Sequence, residues 1–309
     1  MLNIIANPLG KLNRLKGEYS YAYYFYHFTD IKNIQSILEH EHLYSRIKCE
    51  KLGIPISDSA SHQIIDDTET YKKEFVRLNF RPRTPMQYHI EGFVPVGRRW
   101  KDAHCPIPVF LLFDSMSLLK KREVQFSDGN FAAKGSRPLD KKSFVSLPFE
   151  KIYSTGPHDR SDFSTKYHRQ AEILFKDSLP LDPLRFIVCR SRAEHSMLQY
   201  QLMRNGLQEW SEKVVLLPIM KLFYSQRLFV KEVFLADNYA YISFNTSMIM
   251  HRVSFRIKNI ITSEIYRDSF DYSRDRIIEI ENKFFRMGDF HIVIEIDGIK
   301  AYEAEIKIN

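Results

Sequence analysis

Cysteine is scarce in this sequence, and its scarcity excludes two classes of protein. The three cysteines among 309 residues, Cys49, Cys105 and Cys189, form no CxxC pair and cannot all be paired. Disulfide-rich secreted domains need an even set of several cysteines, and cysteine-based zinc sites need closely spaced pairs. We therefore expect a chain that works in a reducing compartment, the cytoplasm, and that holds no metal.

Long apolar runs are missing as well. No stretch comes close to the roughly 18 apolar residues that a transmembrane helix requires. The apolar run at the N-terminus is short, is interrupted by Asn3 and Asn7, and follows no charged residue. The sequence therefore predicts no signal peptide and no membrane partner.

Glycine and tryptophan are also few, with 11 and 2 residues, whereas phenylalanine and tyrosine are abundant, with 23 and 17. Hydrophobic residues make up 44% of the chain and charged residues 27%, which predicts a packed globular protein. The 45 basic and 38 acidic residues give a formal charge of +7. This surplus is compatible with a polyanionic partner such as nucleic acid, and ordinary surface charge explains it equally well.

The first two thirds of the chain mix helices and strands. The pattern predicts an aromatic strand over 19–28, a helix capped by Asp30, a buried strand within 107–119 and a helix over 193–207. Residues 44–76 are predicted to be a surface insertion. Beyond about residue 212, short alternating runs separated by turns are typical of a β-sandwich. We expect an α+β domain over residues 1–210 and a small all-β domain over 211–309.

One carboxylate interrupts an apolar run near the middle of the chain. Residues 167–175 read YHRQAEILF, and their alternation predicts a strand. Glu172 would then point away from Ile173 and Phe175. An acid on such a strand lies either at a solvated edge or on the wall of a cleft.

Two arginines lie on a stiff loop before a predicted helix. In the sequence NFRPRTPMQY, prolines follow Arg81 and flank Arg83 and Thr84. Thr84 can cap a helix that begins at Pro85. Because helix N-termini attract anions, Arg83 lies where a phosphate would bind.

These elements occur in an order that resembles the DarT family of DNA ADP-ribosyltransferases, which are toxins of bacterial toxin–antitoxin and anti-phage systems. The resemblance covers about the first 210 residues. The matching elements are Tyr26-His27-Phe28-Thr29, Phe80-Arg81-Pro82-Arg83-Thr84-Pro85-Met86 with Tyr88, a VFLLF strand, Phe126-Ser127-Asp128-Gly129-Asn130, and Arg169-Gln170-Ala171-Glu172-Ile173-Leu174.

The resemblance implies a fold, a reaction and partners. The fold is the mixed ADP-ribosyltransferase fold, in which two packed sheets clasp NAD. In the reaction, NAD is consumed as co-substrate, its nicotinamide leaves, and a base of single-stranded DNA captures the ADP-ribose. A neutralising antitoxin, a macrodomain-type hydrolase in the family, is an implied partner.

The resemblance also assigns site residues. Glu172 would stabilise the positive charge of the transition state, as carboxylates do in glycoside hydrolysis. Arg83 would be the second catalytic residue, by anchoring phosphate or by helping the base to lose its proton. The expected NAD-binding residues are His27, Phe28, Thr29, Arg81, Tyr88 and Arg169. The expected DNA-binding residues are Met86, His168, Lys134, Arg137, Lys141, Lys142 and Arg160.

The segment 133–166 interleaves basic and aromatic residues, as single-stranded nucleic acid requires. About half of its aromatic rings are expected to lie in the core. Two alternatives remain open on the sequence. The acceptor could be RNA or protein, or the chain could be a catalytically idle binding module, although the presence of Glu172 and Arg83 argues against the latter.

Overall fold

The computed structural model describes residues 7–157, 159, 161–272 and 277–308. The chain divides into two compact units. Unit 1 consists of Met1–His89 and Phe110–Ile187, and unit 2 consists of Ile90–Val109 and Val188–Asn309. The chain therefore passes between the units three times. The domain boundary near residue 210 stays a prediction.

Most α-helices of the described residues are short, and the first and the last of them, with 11 and 13 residues, are the longest. They are α1 Pro8–Glu18, α2 Ile34–Glu39, α3 Arg46–Leu52, α4 His62–Asp67, α5 Pro85–Ile90, α6 Ser115–Lys120, α7 Phe149–Ile152, α8 Phe163–His168 and α9 Arg192–Arg204. Single 3-10 turns connect several of them. These turns are Ser20–Tyr23, Ile31–Asn33, Thr70–Glu74, Val96–Arg98, Trp100–Asp102, Lys141–Ser146, Gln208–Lys213 and Pro218–Met220.

The strands fall into two groups along the chain. The first group is β1 Tyr24–Asp30, β2 His42–Tyr44, β3 Phe75–Asn79, β4 Pro108–Asp114, β5 Gln125–Ser127, β6 Glu172–Lys176, β7 Ser178–Pro180, β8 Leu184–Cys189 and β9 Val214–Val215. The second is β10 Val230–Ala236, β11 Tyr239–Phe244, β12 His251–Asn259, β13 Ile265–Tyr272, β14 Ile277–Glu281, β15 Gly288–Ile296 and β16 Ile299–Ile308.

The first group of strands contains a seven-stranded sheet in the order β5-β6-β3-β1-β4-β8-β9. The pairs β5–β6, β6–β3 and β3–β1 are antiparallel, and β2 and β7 form a separate two-stranded sheet. The interior strand β4 is buried at every position except its last residue, Asp114. A strand buried on both faces reads as a continuous apolar run, which is why the sequence predicted it.

Local cap chemistry places several elements as predicted. The Asp30 side chain accepts from the N–H of Lys32 and starts the turn before α2. The N–H of Gln87 donates to Thr84 Oγ1 over 3.3 Å, and α5 begins at Pro85. These side chains satisfy N–H groups that have no partner within the first helical turn, so they fix where each helix begins.

The predicted strand over 167–175 is wrong in its first half. The strand β6 begins at Glu172, and the helix α8 ends at His168. Asp162 caps α8 by accepting from the N–H of Thr165 over 2.9 Å, and no cap of this kind is visible in an alternation count. The aromatic strand predicted over 19–28 likewise starts only at Tyr24.

Unit 2 contains the predicted β-rich region. It has a three-stranded antiparallel sheet, β10-β11-β14, and a four-stranded one, β13-β12-β15-β16. Residues along β12 and β15 alternate between buried and less buried positions, so one face of that sheet is core. The helix α9 belongs to this unit and packs on its strands, because Tyr200 donates to Glu305 over 3.1 Å and Ser191 donates to the carbonyl of Val230.

A buried ionic group joins distant segments of unit 2. Arg190 and Glu194 are both buried and form an ion pair. The guanidinium of Arg190 also lies 4.0 Å from the centre of the Phe229 ring. The carboxylate of Glu91 accepts from the N–H groups of Tyr224 and Ser225 at 3.0 and 2.7 Å. The segment 90–109 is therefore held by residues that follow it by more than 100 positions.

Within the described ranges, no helix combines the length and the apolar content that crossing a membrane requires.

Candidate active site

Glu172 lies in a row of paired residues at the end of several strands. It is the first residue of β6 and pairs with Asn79, the last residue of β3, and with Ser127, the last residue of β5. Asn79 pairs in turn with Tyr26 of β1. Directly opposite residues of antiparallel strands share a face. The row therefore brings the loops after β3 and β5 to the level of Glu172.

A backbone donor fixes the carboxylate. The N–H of Phe131 donates to Glu172 Oε2 over 2.8 Å. Phe131 follows directly on the SDGN sequence of residues 127–130, which therefore lies beside the glutamate. A charge-assisted hydrogen bond of this kind holds the carboxylate in one orientation.

The surroundings of Glu172 act on its pKa in opposite directions. Burial raises the pKa of Glu172, because desolvation disfavours the charged form. The positive charge of Arg77 and the N–H of Phe131 lower it in part. Arg77 is two residues before Asn79 on β3 and pairs with Leu174, so it lies on the face that carries Glu172. The result is a carboxylate with a raised pKa beside one cation.

Arg83 has a strained backbone. Its φ is +58°, in the left-handed region that side chains other than glycine rarely adopt. Its N–H donates to Oε1 of the buried Gln87 over 2.7 Å, which holds the loop in this conformation. The loop begins beside the glutamate strand, because the N–H of Phe80 donates to the carbonyl of Ala171 over 3.4 Å. Strain of this kind is found most often at functional sites.

Arg81 and Arg169 meet at Ser154. Arg81 is buried, and its guanidinium donates to the carbonyls of Ser154 and, over 3.4 Å, Ile152. Arg169 is buried too, and its Nε donates to Ser154 Oγ over 3.0 Å. Both arginines were predicted to bind NAD. Their contacts join the arginine loop and the glutamate strand to the end of α7.

His27, Phe28 and Thr29 lie on β1. The Nδ1–H of His27 donates to the carbonyl of Arg77 over 3.2 Å, so Nε2 carries the lone pair of the neutral ring. Burial lowers the pKa of His27, which favours that neutral form. The ring of Phe28 packs edge-on against Phe110, and Thr29 accepts from Asn33 over 3.0 Å.

The SDGN turn packs under the segment before Glu172. The Tyr167 hydroxyl donates to Asp128 Oδ1 over 3.0 Å, and the Nδ1–H of His168 donates to the Asp128 carbonyl over 2.6 Å. A Cβ on Gly129 would overlap the Tyr167 ring. Gly129 is therefore required by this close approach and not by its backbone conformation.

The chain resembles known proteins in sequence and in structure. A family model described as "ssDNA thymidine ADP-ribosyltransferase, DarT" matches residues 26–223, which is more than half of the chain. The chain belongs to the DarT family. The family match confirms the prediction that the chain is a DNA ADP-ribosyltransferase. A comparison with curated protein sequences gives no significant match.

Two solved structures share the fold. The structure of "Thermus sp. 2.9 DarT in complex with ADP-ribosylated ssDNA" is 18% identical, with a TM-score of 0.52, and the match covers 65% of this chain and 96% of that one. The same Thermus protein in complex with carba-NAD+ is 18% identical with a TM-score of 0.50, over 65% of this chain and 98% of that one. These matches confirm the ADP-ribosyltransferase fold that the sequence predicted for the present chain.

Several predicted contact residues of the DarT region are exposed. On α5, Met86 is 41% exposed and Tyr88 is 47% exposed. Lys134, Arg137 and Lys142 are exposed, and Lys141 is half-buried, with its Nζ donating to the carbonyls of Lys120 and Lys121. Arg160 lies outside the described residues.

Phe131 and the aromatic residues of segment 133–166 that follow it are more buried than expected. Phe131, Phe144, Phe149 and Tyr153 are buried, whereas Phe163 is 74% exposed. Phe80, Phe126, Phe144 and Phe149 share ring contacts, so most of these rings fill the core of unit 1. The expectation that half of them would be core is too low.

The sequence did not indicate Arg77 or the N–H of Phe131 as neighbours of Glu172. Both depend on the pairing of β6 with β3 and β5, and no local sequence motif predicts that pairing. Among the residues that the structure describes, no three His, Cys, Asp or Glu side chains come together as a metal site would need.

Proposed function

We propose that this protein transfers ADP-ribose from NAD to a thymidine base in single-stranded DNA, with Glu172 and Arg83 as catalytic residues. The observation that carries the proposal is the oriented, desolvated carboxylate of Glu172 at the level of the arginine loop. The description of the family model supports DNA as acceptor and thymidine as its base.

Glu172 suits a transition state with a positive sugar. Breaking the bond between nicotinamide and ribose leaves positive charge on the ribose, and a fixed carboxylate stabilises that charge without having to reorient. The Phe131 N–H holds one carboxylate oxygen. The partial burial of Glu172 strengthens the attraction, because fewer water molecules screen it.

Arg83 suits an anionic or proton-transfer role. Its left-handed backbone conformation costs free energy and sets the direction of the side chain. The hydrogen bond to Gln87 maintains this conformation. Because guanidinium stays protonated, Arg83 can bind the pyrophosphate of NAD or stabilise the base as it loses its proton.

The remaining assignments concern binding. His27, Phe28 and Thr29 hold the nicotinamide end of NAD, and the neutral His27 ring offers Nε2 as an acceptor for an amide N–H. Arg81 and Arg169 shape the NAD site through Ser154, and Tyr88 borders it. Met86, His168, Lys134, Arg137, Lys141, Lys142 and Arg160 form the contact surface for DNA.

The biological role that follows is that of a toxin in a toxin–antitoxin or anti-phage system. Modified template bases would block replication, so a bacterium needs an antitoxin of the macrodomain-type hydrolase class to remove them. The site of action is the cytoplasm. Expression of the protein in a bacterium should arrest growth, and the Glu172→Ala variant should not.

Mass spectrometry tests the reaction. Purified protein and NAD are incubated with single-stranded DNA oligonucleotides that each lack one base, with matched RNA and duplex controls. A gain of one ADP-ribose on every DNA except the one without thymidine supports the proposal. Modification of RNA or of the protein itself would show that the acceptor is not DNA. If NAD stays unaltered with every substrate, a catalytically idle binding module describes the protein better.

A further inference from the structure

Lys72 has no exposed surface, which is unusual for a lysine. Its Nζ donates to the carbonyl of Ala133 over 2.6 Å and lies 2.7 Å from the carboxylate of Glu69. The same Nζ lies 5.7 Å from the centre of the Phe131 ring and 5.8 Å from that of Tyr71. The ammonium group is thus surrounded by a carbonyl, a carboxylate and two aromatic faces, which offsets the cost of its burial.

The contact with Ala133 ties Lys72 to the donor of Glu172. Ala133 is two residues after Phe131, whose N–H holds the carboxylate. The ring of Phe131 packs on Phe75 of the strand that follows Lys72, with 5.4 Å between ring centres. Lys72 therefore anchors the segment that presents the N–H.

The backbone of Lys72 acts on the cation beside Glu172. Arg77 Nη2 donates to the Lys72 carbonyl over 3.0 Å. The guanidinium of Arg77 also lies 5.3 Å from the centre of the Phe131 ring. One residue thus holds the N–H donor with its side chain and the nearby guanidinium with its carbonyl.

We propose that Lys72 is a positioning residue for Glu172, which acts by fixing the segment 130–133 and the Phe131 N–H. The proposal rests on the function proposed above, because it takes Glu172 to be the catalytic carboxylate. Lys72 itself touches neither substrate nor the reacting atoms. A further hydrogen bond, from the Tyr71 hydroxyl to the Ser136 carbonyl over 2.9 Å, holds the chain just after this segment.

The test compares Lys72→Met with Lys73→Met. Methionine keeps most of the stem volume and removes the charge and the donors, and Lys73 is the neighbouring lysine, which is partly exposed. We expect kcat for ADP-ribosyl transfer to fall about 100-fold in Lys72→Met, because small misplacements of catalytic groups have effects of that size. We expect KM for NAD to stay within about 3-fold, because binding groups elsewhere are unchanged. Lys73→Met should match the wild type.

A second readout does not depend on activity. The pKa of the Glu172 carboxyl is measured by NMR on protein carrying ¹³C-labelled glutamate, and the exchange of the Phe131 amide hydrogen is measured in the same samples. In Lys72→Met the pKa should rise, because the Phe131 N–H that lowers it is no longer fixed, and the amide should exchange faster. Lys73→Met should change neither.

Defined outcomes overturn the proposal. A folded Lys72→Met protein with wild-type kcat, or with an unchanged Glu172 pKa and unchanged Phe131 exchange, excludes the positioning role. If Lys72→Met does not fold, Glu69→Ala removes one partner of Lys72 at an exposed position and should shift the same two NMR observables in the same direction. Wild-type protein that leaves NAD unchanged contradicts the proposed function, and the NMR readouts then still decide whether Lys72 positions Glu172.

Discussion

The N–H of Phe131 donates to the carboxylate of Glu172 over 2.8 Å, although 41 positions separate the two residues in the sequence. The bond joins the segment after β5 to the first residue of β6. The orientation of the candidate catalytic carboxylate therefore depends on the segment that begins at the SDGN turn.

Replacing Glu172 with glutamine should abolish transfer without unfolding the protein. Glutamine keeps the shape and can still accept from the Phe131 N–H, but it carries no charge to stabilise the sugar. We expect the transfer rate to fall by at least about 100-fold. The rate is measured by mass spectrometry and the fold by circular dichroism. Glu123→Gln, at an exposed position, is the matched control, and activity retained in Glu172→Gln would remove Glu172 from catalysis.

The raised pKa of Glu172 predicts two pH dependences. Transfer requires the carboxylate, so its rate should fall as the pH drops through a pKa above the ordinary value of about 4.3. Because the folded state favours the protonated carboxyl, the stability that this group contributes is present at low pH and is lost as pH rises through the raised pKa. Glu172→Gln should therefore be more stable than the wild type at pH 8, by a difference that shrinks toward acidic pH. Urea denaturation of both proteins across this range measures it, and a constant difference would contradict a raised pKa.

Replacing Arg83 with glycine should relieve backbone strain and at the same time abolish activity. At φ = +58° a glycine is unstrained, whereas alanine keeps the strain. Arg83→Gly should exceed Arg83→Ala in free energy of unfolding by about 1 kcal/mol. Both should lose transfer by about 100-fold or more, and the exposed Arg122→Ala should lose none. Equal stability of the two Arg83 variants would mean that the backbone relaxes at no cost.

Gly129→Ala should destabilise the protein, because the added Cβ overlaps the Tyr167 ring. Overpacking of this kind costs about 1–3 kcal/mol. The cost should be smaller in a Tyr167→Ala background, where the ring is gone, and a double-mutant cycle in urea measures this coupling. Gly17→Ala is the control, since nothing lies within 4 Å of a Cβ there and the position is helical. Additive effects of the two changes would exclude the overlap as the cause.

A chain that ends at residue 210 should not fold cooperatively. It lacks the N–H groups of Tyr224 and Ser225 that the buried Glu91 carboxylate accepts from, and the Phe229 ring against Arg190. Buried charges without their partners destabilise a protein by about 3–5 kcal/mol. Calorimetry of the truncated and full chains tests this, and adding the fragment 211–309 should restore the transition. A truncated chain that melts as the full one does would support an independent domain over residues 1–210.

Much of the fold could be predicted from sequence because it depends on near neighbours. The apolar run of β4, the Thr84–Pro85 start of α5 and the alternation of the strands after residue 229 each arise within a few residues. The strand predicted before Glu172 is wrong because the Asp162 cap competes with alternation and wins. Glu172 and Arg83 stood out because their residue types and order match a known family.

The sequence by itself determined many of the elements, the family and the residues that can carry charge in the site. Only the tertiary structure decided what surrounds them. The Phe131 N–H, the Arg77 cation, the strain at Arg83 and the burial of Lys72 all arise from strands and loops that are far apart in the chain. Strand register and desolvation are properties of the packed molecule, and no short stretch of sequence specifies them.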